Sequence, residues 1–269
     1  MNAHEGEANV KRTMSWMLAV AAVLGVAGSA GNARACEREK ETYVLVHGAF
    51  HGGWAWQKVA EKLRQDGHRV YTPTLTGVGE RNHLARPDVN LETHIQDVIS
   101  VLEFEDLERV ILVGHSYAGV VITGVASRVP QRIAKLVYFD AVVPDSGQSF
   151  FDAIGFNQPL PPDLWYFPSF PAEAFGLTDP ADLDYVRAKI TPQPIETFRS
   201  PVTFDWATMA SIPKAYVHCL GNWFAFTPFL TFRQKALNQG WGYYEINTGH
   251  DAMISEPKDT AKLLRQIAR

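Results

Sequence analysis

The sequence predicts an α/β fold, a mostly parallel sheet flanked by helices, with a cap inserted over the carboxyl edge of the strands. Three observations predict it. Short apolar runs alternate with amphipathic stretches from residue 43 to the last helix. One phenylalanine- and proline-rich stretch interrupts that alternation. The residues with chemical potential each fall just after a strand, where open parallel sheets gather their active groups.

Tyr43–Val46 reads as a buried strand from its run length and β-branching. Trp54–Arg64 has helical spacing, with Trp56, Val59, Ala60 and Leu63 on one face. His68–Tyr71 is a second strand, and Leu91–Phe104 a helix carrying Ile95, Val98, Ile99 and Leu102 in one stripe. Val110–Val113, Tyr117–Ser127 and Ile133–Phe139 continue as strand, helix and strand. Two further strands, Ala215–His218 and Tyr243–Ile246, flank a helix near Pro228–Asn238. Pro257–Ile267 closes the chain as a helix with proline at a first-turn position that suits it. Residues 145–212 break the pattern with Phe150, Phe151, Phe156, Trp165, Tyr166, Phe167, Phe170 and Phe175 among prolines. That stretch is too apolar for a disordered linker and is expected to form the cap.

The chemistry concentrates in three places. Gly114-His115-Ser116-Tyr117-Ala118-Gly119 contains G-x-S-x-G between a strand and a helix. Such a turn lifts a serine hydroxyl clear of the backbone, and the following helix N-terminus offers N–H groups to an oxyanion. Ser116 is the expected nucleophile and Tyr117 N–H one oxyanion donor. His47-Gly48-Ala49-Phe50 follows the first strand, and its Ala49 N–H is the expected second donor. Gly249-His250-Asp251 follows the last strand, which singles out His250 among nine histidines as the expected base.

A histidine base needs a partner for its other nitrogen. The usual place for that acid is the loop after Ala215–His218, where this chain has Asn222, 28 residues before His250. Asn222 could serve as a neutral third member. Asp140, at the end of strand Ile133–Phe139, is the candidate acid, and the two alternatives stay open. The expected substrate pocket includes Phe50, His115, Trp165 and Trp223.

Length and composition bound the rest. A chain of 269 residues with 46% hydrophobic content can bury a full core. A net charge of −4 without a basic cluster argues against a nucleic-acid partner. Residues 1–35 read as a signal peptide: Lys11 and Arg12, an apolar run Met14–Ala27, then Ala33-Arg34-Ala35. The expectation is therefore an exported domain over 36–269, with no stable membrane association once the leader is removed. Export permits a disulfide between Cys36 and Cys219, although a buried free thiol is the plainer expectation for Cys219. No metal is expected, because His47 and His51 lie on a glycine loop without a third ligand, and no cofactor is implied.

At these residues the chain resembles the α/β-hydrolase superfamily. Within it, the chain resembles the small esterases related to plant hydroxynitrile lyases and methyl-salicylate-type esterases. The matching segments run from Val44–Trp54 through Gly67–Val70, Leu75–Gly79, Gly114–Gly119 and Asp140–Pro144 to Gly249–Met253. The resemblance implies an α/β-hydrolase fold, Ser116 and His250 in the triad, and Ala49 and Tyr117 in the oxyanion hole. It implies an acid where Asn222 stands, and there this chain departs. The lyases also carry a lysine at the position of Asp251 and a threonine at that of Gly48. Both departures favour hydrolysis. The expected function is cleavage of a carboxylic ester of an apolar or aromatic small molecule through an acyl-enzyme. The alternatives are a lactone-opening or lyase enzyme on the same residues, or a weakly active ligand-binding protein on a hydrolase scaffold.

Overall fold

The computed structural model describes residues 40–221 and 229–269. β1 (Thr42–Val46) opens the sheet, and after a 3₁₀ turn at Gly53–Trp56 the chain enters α1 (Gln57–Gln65). β2 (Arg69–Tyr71), α2 (Leu91–Phe104), β3 (Val110–His115), α3 (Ala118–Arg128) and β4 (Ile133–Phe139) follow. The stretch after β4 holds α4 (Phe150–Ile154), β5 (Tyr166–Phe167), α5 (Pro180–Arg187), β6 (Gln193–Pro194) and α6 (Glu196–Arg199). β7 (Lys214–Cys219), α7 (Phe229–Asn238), β8 (Gly242–Ile246), α8 (Ala252–Ser255) and α9 (Pro257–Ala268) complete the chain. The six strands expected from the sequence are the six strands of the main sheet, which runs β2-β1-β3-β4-β7-β8, every pair parallel.

The helices form for identifiable local reasons. α2 starts on a capping box, in which the Asn90 side chain accepts from Thr93 N–H and the Thr93 hydroxyl accepts from Asn90 N–H. α9 carries Pro257 in its first turn and turns Ala261, Leu264 and Ile267 inward, where it packs on α1. Each large apolar side chain buried this way contributes about 1.5–3 kcal/mol. α3 is different: from Ala118 to Ala126 every residue is buried, so it runs through the interior rather than over the surface.

The strand order reverses around β1. The chain steps outward from β1 to β2, then returns to the other flank as β3. Val46 at the end of β1 therefore lies opposite Gly114 near the end of β3, and His115 lies opposite Phe139 at the end of β4. The loops after these three strands meet at one edge, the switch point where such sheets bind ligands.

The aromatic stretch leaves and returns through a short antiparallel stalk. Gln148 bridges Val202, and the Ser146 hydroxyl bonds the Phe204 backbone in both directions. Beyond the stalk it pairs β5 with β6 and packs α4 on α6. The capping box at Ser149 and Asp152 starts α4, and Asp179 caps α5. These elements are two to eight residues long, too short for a periodic signature in the sequence.

One contact locks α3 beneath the site. A Cβ on Gly119 would sit 1.9 Å from the Val142 carbonyl oxygen, an impossible approach to backbone. A Cβ on Gly147, at φ +87°, would meet nothing within 4 Å. We predict that Gly119→Ala lowers stability by about 3 kcal/mol or more, against about 1 kcal/mol for Gly147→Ala. Urea unfolding of both variants measures this, and equal losses would contradict the packing described.

Candidate active site

Ser116 occupies the single turn between β3 and α3, with φ at 54°. Its N–H donates to the Phe139 carbonyl at 3.2 Å, and its own carbonyl accepts from Gly119 and Val142 at 3.1 Å each. A serine held left-handed by neighbours on both sides is a strained residue in a fixed position.

The β1 loop comes up against it. A Cβ on Gly48 would lie 2.7 Å from His115 Nδ1 and 3.0 Å from Ser116 Cβ, so only glycine lets the loop approach this closely. His47, fully buried, accepts Leu75 N–H at Nε2 and bonds the Gly48 carbonyl through Nδ1 at 2.8 Å. The proton is therefore on Nδ1. Burial pushes its pKa down to about 3, so this ring is a neutral strut. Phe50 is also left-handed, with φ at 70°, and its N–H donates to the buried Gln193 side chain at 2.9 Å.

His250 follows β8, and its Nδ1 lies 2.6 Å from Asp140 Oδ2. Both residues are buried, and Asp140 has φ at 42°. The other carboxylate oxygen accepts Cys219 N–H at 3.2 Å and stands 3.4 Å from His218 Nδ1. Burial alone would raise the Asp140 pKa; the adjoining His218 and His250 and the Cys219 amide outweigh it and hold the carboxyl below its usual range. Nδ1–H of His250 thus donates to a carboxylate, which leaves the basic lone pair on Nε2. His115 donates Nε2–H to the His250 carbonyl at 3.0 Å. It is kept neutral by burial and by the neighbouring His250 ring.

Ser116 and His250 line one cavity of about 590 Å³ together with Gly48, Ala49, Phe50 and His115. Nine of its lining residues are phenylalanines, from the loop at Phe50, the cap and the start of α7. The structure thus brings Ser116, His250, Asp140, Ala49, Phe50 and His115 to one place. Tyr117 is fully buried at the head of α3, where its hydroxyl bonds His94 Nδ1 at 2.9 Å. Trp165, expected in the pocket, does not join them. It is 39% exposed and its ring packs on Tyr166, while Phe167 lines the cavity. Asn222, Trp223, Cys36 and the residues read as a signal peptide lie outside the described residues. Cys219 is a buried free thiol.

The sequence reading passed over Phe198, Phe229, Gln193 and an ion pair between His51 and Asp251. Phe198 and Phe229 belong to aromatic-rich segments and were open to notice on that ground. The ion pair spans 200 positions and leaves no local signal. Among the described residues no group of three His, Cys, Asp or Glu side chains is arranged to hold a metal, and no helix is long and apolar enough to cross a membrane.

Residues 43–263 match the model of the Alpha/beta hydrolase family. The chain is 41% identical over 242 residues to a carbendazim hydrolyzing esterase of Nocardioides sp. (strain SG-4G), covering 84% of this chain and 98% of that one. It is 27% identical to salicylic acid-binding protein 2 of Nicotiana tabacum, over 86% of this chain and 98% of that protein. Among solved structures it resembles an extracellular alpha/beta-hydrolase from a Paenibacillus species, with a TM-score of 0.68, 25% identity, and coverage of 84% and 98%. Tomato methylketone synthase I shares the fold at a TM-score of 0.72 and 21% identity, over 86% of this chain and 97% of that one.

The buried histidines give stability a definite pH dependence. His47 and His94 have folded pKa values pushed by burial to about 3 and about 4, and His115 is pushed well below the ordinary 6.5. Between pH 6.5 and 4.5 the unfolded chain takes up protons at these rings that the folded chain refuses. Acid therefore favours unfolding in that window, by about 1.4 kcal/mol per pH unit for each ring. Asp140 and Asp251, with lowered pKa values, add their loss only further into acid. Urea midpoints measured from pH 7 to 4.5 should fall steeply, and a flat profile would contradict these assignments.

Proposed function

This chain belongs to the alpha/beta hydrolase family and is an ester-cleaving hydrolase, and we propose that it works through an acyl-enzyme formed on Ser116. The observation that carries the reading is the 2.6 Å bond between His250 Nδ1 and the buried Asp140, with His250 and Ser116 both lining one cavity. A carboxylate there fixes the tautomer, so Nε2 is the atom that takes the Ser116 proton. Asp140 is then the triad acid. Ser116 Oγ attacks the ester carbonyl, the imidazolium returns its proton to the leaving alcohol, and water repeats the sequence to release the acid.

The oxyanion is held by the N–H groups of Ala49 and Tyr117. Two features support that choice. Because the peptide is planar and trans, the bond from His47 to the Gly48 carbonyl turns Ala49 N–H to the opposite side, away from the buried strut. Tyr117 N–H opens α3, where the helix dipole adds positive potential.

The substrate is an uncharged, aromatic or otherwise apolar ester. Phenylalanines dominate the cavity, and among the described residues no lysine, arginine, aspartate or glutamate lines it. The carbendazim hydrolyzing esterase supports an aromatic small molecule, since it is the relative aligned at 41% identity over nearly its full length. Residues 36–269 form the hydrolase domain, with the stretch 145–212 as its cap. Residues 1–35 serve as an export signal, and the mature enzyme is periplasmic or secreted. The basic, apolar and small-residue order of that segment supports this, as does the likeness to an extracellular hydrolase.

Ser116→Ala should abolish turnover of aryl and methyl aromatic esters, and a fluorophosphonate should label the unaltered protein at Ser116 alone. Asp140→Asn should lower kcat about 10²–10⁴-fold. Folded Ser116→Ala with full activity would overturn the acyl-enzyme, and unchanged kcat in Asp140→Asn would remove Asp140 from the triad.

A further inference from the structure

A second histidine–aspartate pair lies beside the first and plays no part in the proton transfers above. His51 Nε2 is 2.9 Å from Asp251 Oδ2, and His51 Nδ1 is 2.7 Å from the Ala49 carbonyl oxygen. Both side chains are essentially inaccessible, at 1% and 0% exposure. A carbonyl oxygen only accepts, and so does an ionised carboxylate, so both ring nitrogens must carry protons. The arrangement is a buried imidazolium facing a buried carboxylate.

Its chain positions give it consequence. Asp251 directly follows His250, and His51 sits two residues after Ala49. The pair therefore ties the loop bearing the base to the loop bearing an oxyanion donor. The Ala49 segment needs such a tie, because Phe50 beside it is left-handed and inclined to relax. His47 holds the Gly48 carbonyl, Gln193 holds the Phe50 N–H, and His51 holds the carbonyl between them. Of these three, the His51 contact leads directly to the His250 loop, through Asp251.

We propose that His51 and Asp251 are positioning residues, a buried ion pair that fixes the Ala49 amide relative to His250. This rests on the reading of Ala49 as an oxyanion donor. His51 reaches the cavity lining, but both its ring nitrogens are engaged, by Asp251 and by the Ala49 carbonyl, so the pair acts through the backbone it holds. The surroundings are consistent with a resident cation. Trp54 lays its face on the His51 ring at 5.1 Å, and Phe175 stands nearly perpendicular to that ring at 4.8 Å. The titratable neighbours are His115, edge-on at 6.5 Å, neutral His47, His250 beyond Asp251, and Glu80 against the adjacent Gly52. Burial alone would push the His51 pKa down, and Asp251 with the Ala49 carbonyl raises it above 6.5.

Four variants and one spectrum test this. Asp251→Ala should lower kcat about 10- to 100-fold with KM little changed, as a small misplacement of an oxyanion donor does. Asp251→Asn, whose amide can still bond the ring, should recover most of that loss. His51→Ala should resemble Asp251→Ala, and the double variant should lose no more than the worse single one. Losses that multiply in the double variant, an effect on KM alone, or full kcat in folded Asp251→Ala would overturn the proposal. Should the alanine variants not fold, nitrogen-15 spectra of the histidines in the unaltered protein decide. His51 must show two protonated ring nitrogens at pH 7.5, and a neutral ring there would overturn the proposal. A serine reading that failed through active Ser116→Ala would leave the His51 spectrum as stated, so the two failures are distinguishable.

Discussion

The pairing of His115 with Phe139 is the constraint on which the site depends. Parallel strands in that register end level with one another. The next residues on each, Ser116 and Asp140, therefore leave the sheet side by side. Both leave it left-handed, at 54° and 42°. Such backbone costs about 1–3 kcal/mol per residue. Here it is stabilised by ladder bonds that outlast the strands: Ser116 N–H to Phe139, and Asp140 N–H to Val217 at 2.7 Å. A short stretch of sheet in rigid register holds two side chains where a flexible loop would let them relax.

The same logic decides how charge is kept inside. Asp140 and Asp251 are both at 0% exposure, and each meets a histidine rather than a lysine or arginine. An imidazole has two nitrogens in one plane, so it can answer a carboxylate on one side and do something else on the other. For His250 the second side is the nitrogen that takes the serine proton in the proposed mechanism. For His51 it is a backbone carbonyl. One sequence element, Gly249-His250-Asp251, thus contributes a histidine to one pair and an aspartate to the other. With most of the cavity wall apolar, both pairs sit in a medium where their fields are weakly screened.

These relations divide into what a sequence can carry and what it cannot. All six strands and the five long helices were legible, because run length, β-branching and 3.6-residue spacing are local properties. Boundaries shifted by one to three residues where 3₁₀ turns such as Gly53–Trp56 take over a helix end. The places of G-x-S-x-G and of the late histidine were legible because a strand-to-helix turn and a strand end are local features of the chain. The partner of His250 was not, since Asp140 and Asn222 both followed strands at the same edge. Only the distance from Asp140 to the ring separates them, with Asn222 outside the described residues. Aromatic density marks residues 145–212 as one apolar segment but does not say which of its rings face the cavity, and Trp165 is not among those that do.

The cap is more than a roof over the cavity. Gln193 of β6 holds the Phe50 N–H, Thr191 N–H bonds the Phe50 carbonyl at 3.0 Å, and the Phe175 carbonyl accepts Asp251 N–H at 3.1 Å. The inserted segment therefore grips both loops that the His51–Asp251 pair connects. Gly176 strengthens the point, because a Cβ there would come within 2.8 Å of Gly249 Cα. Displacing the cap as a rigid lid would break these backbone bonds and release Phe50 from its left-handed turn. Substrate entry is therefore better served by side-chain movement among the phenylalanines, which costs rotamer changes alone, than by opening the whole insertion. In this molecule the selectivity of the cavity and the geometry of its chemistry are set by the same contacts.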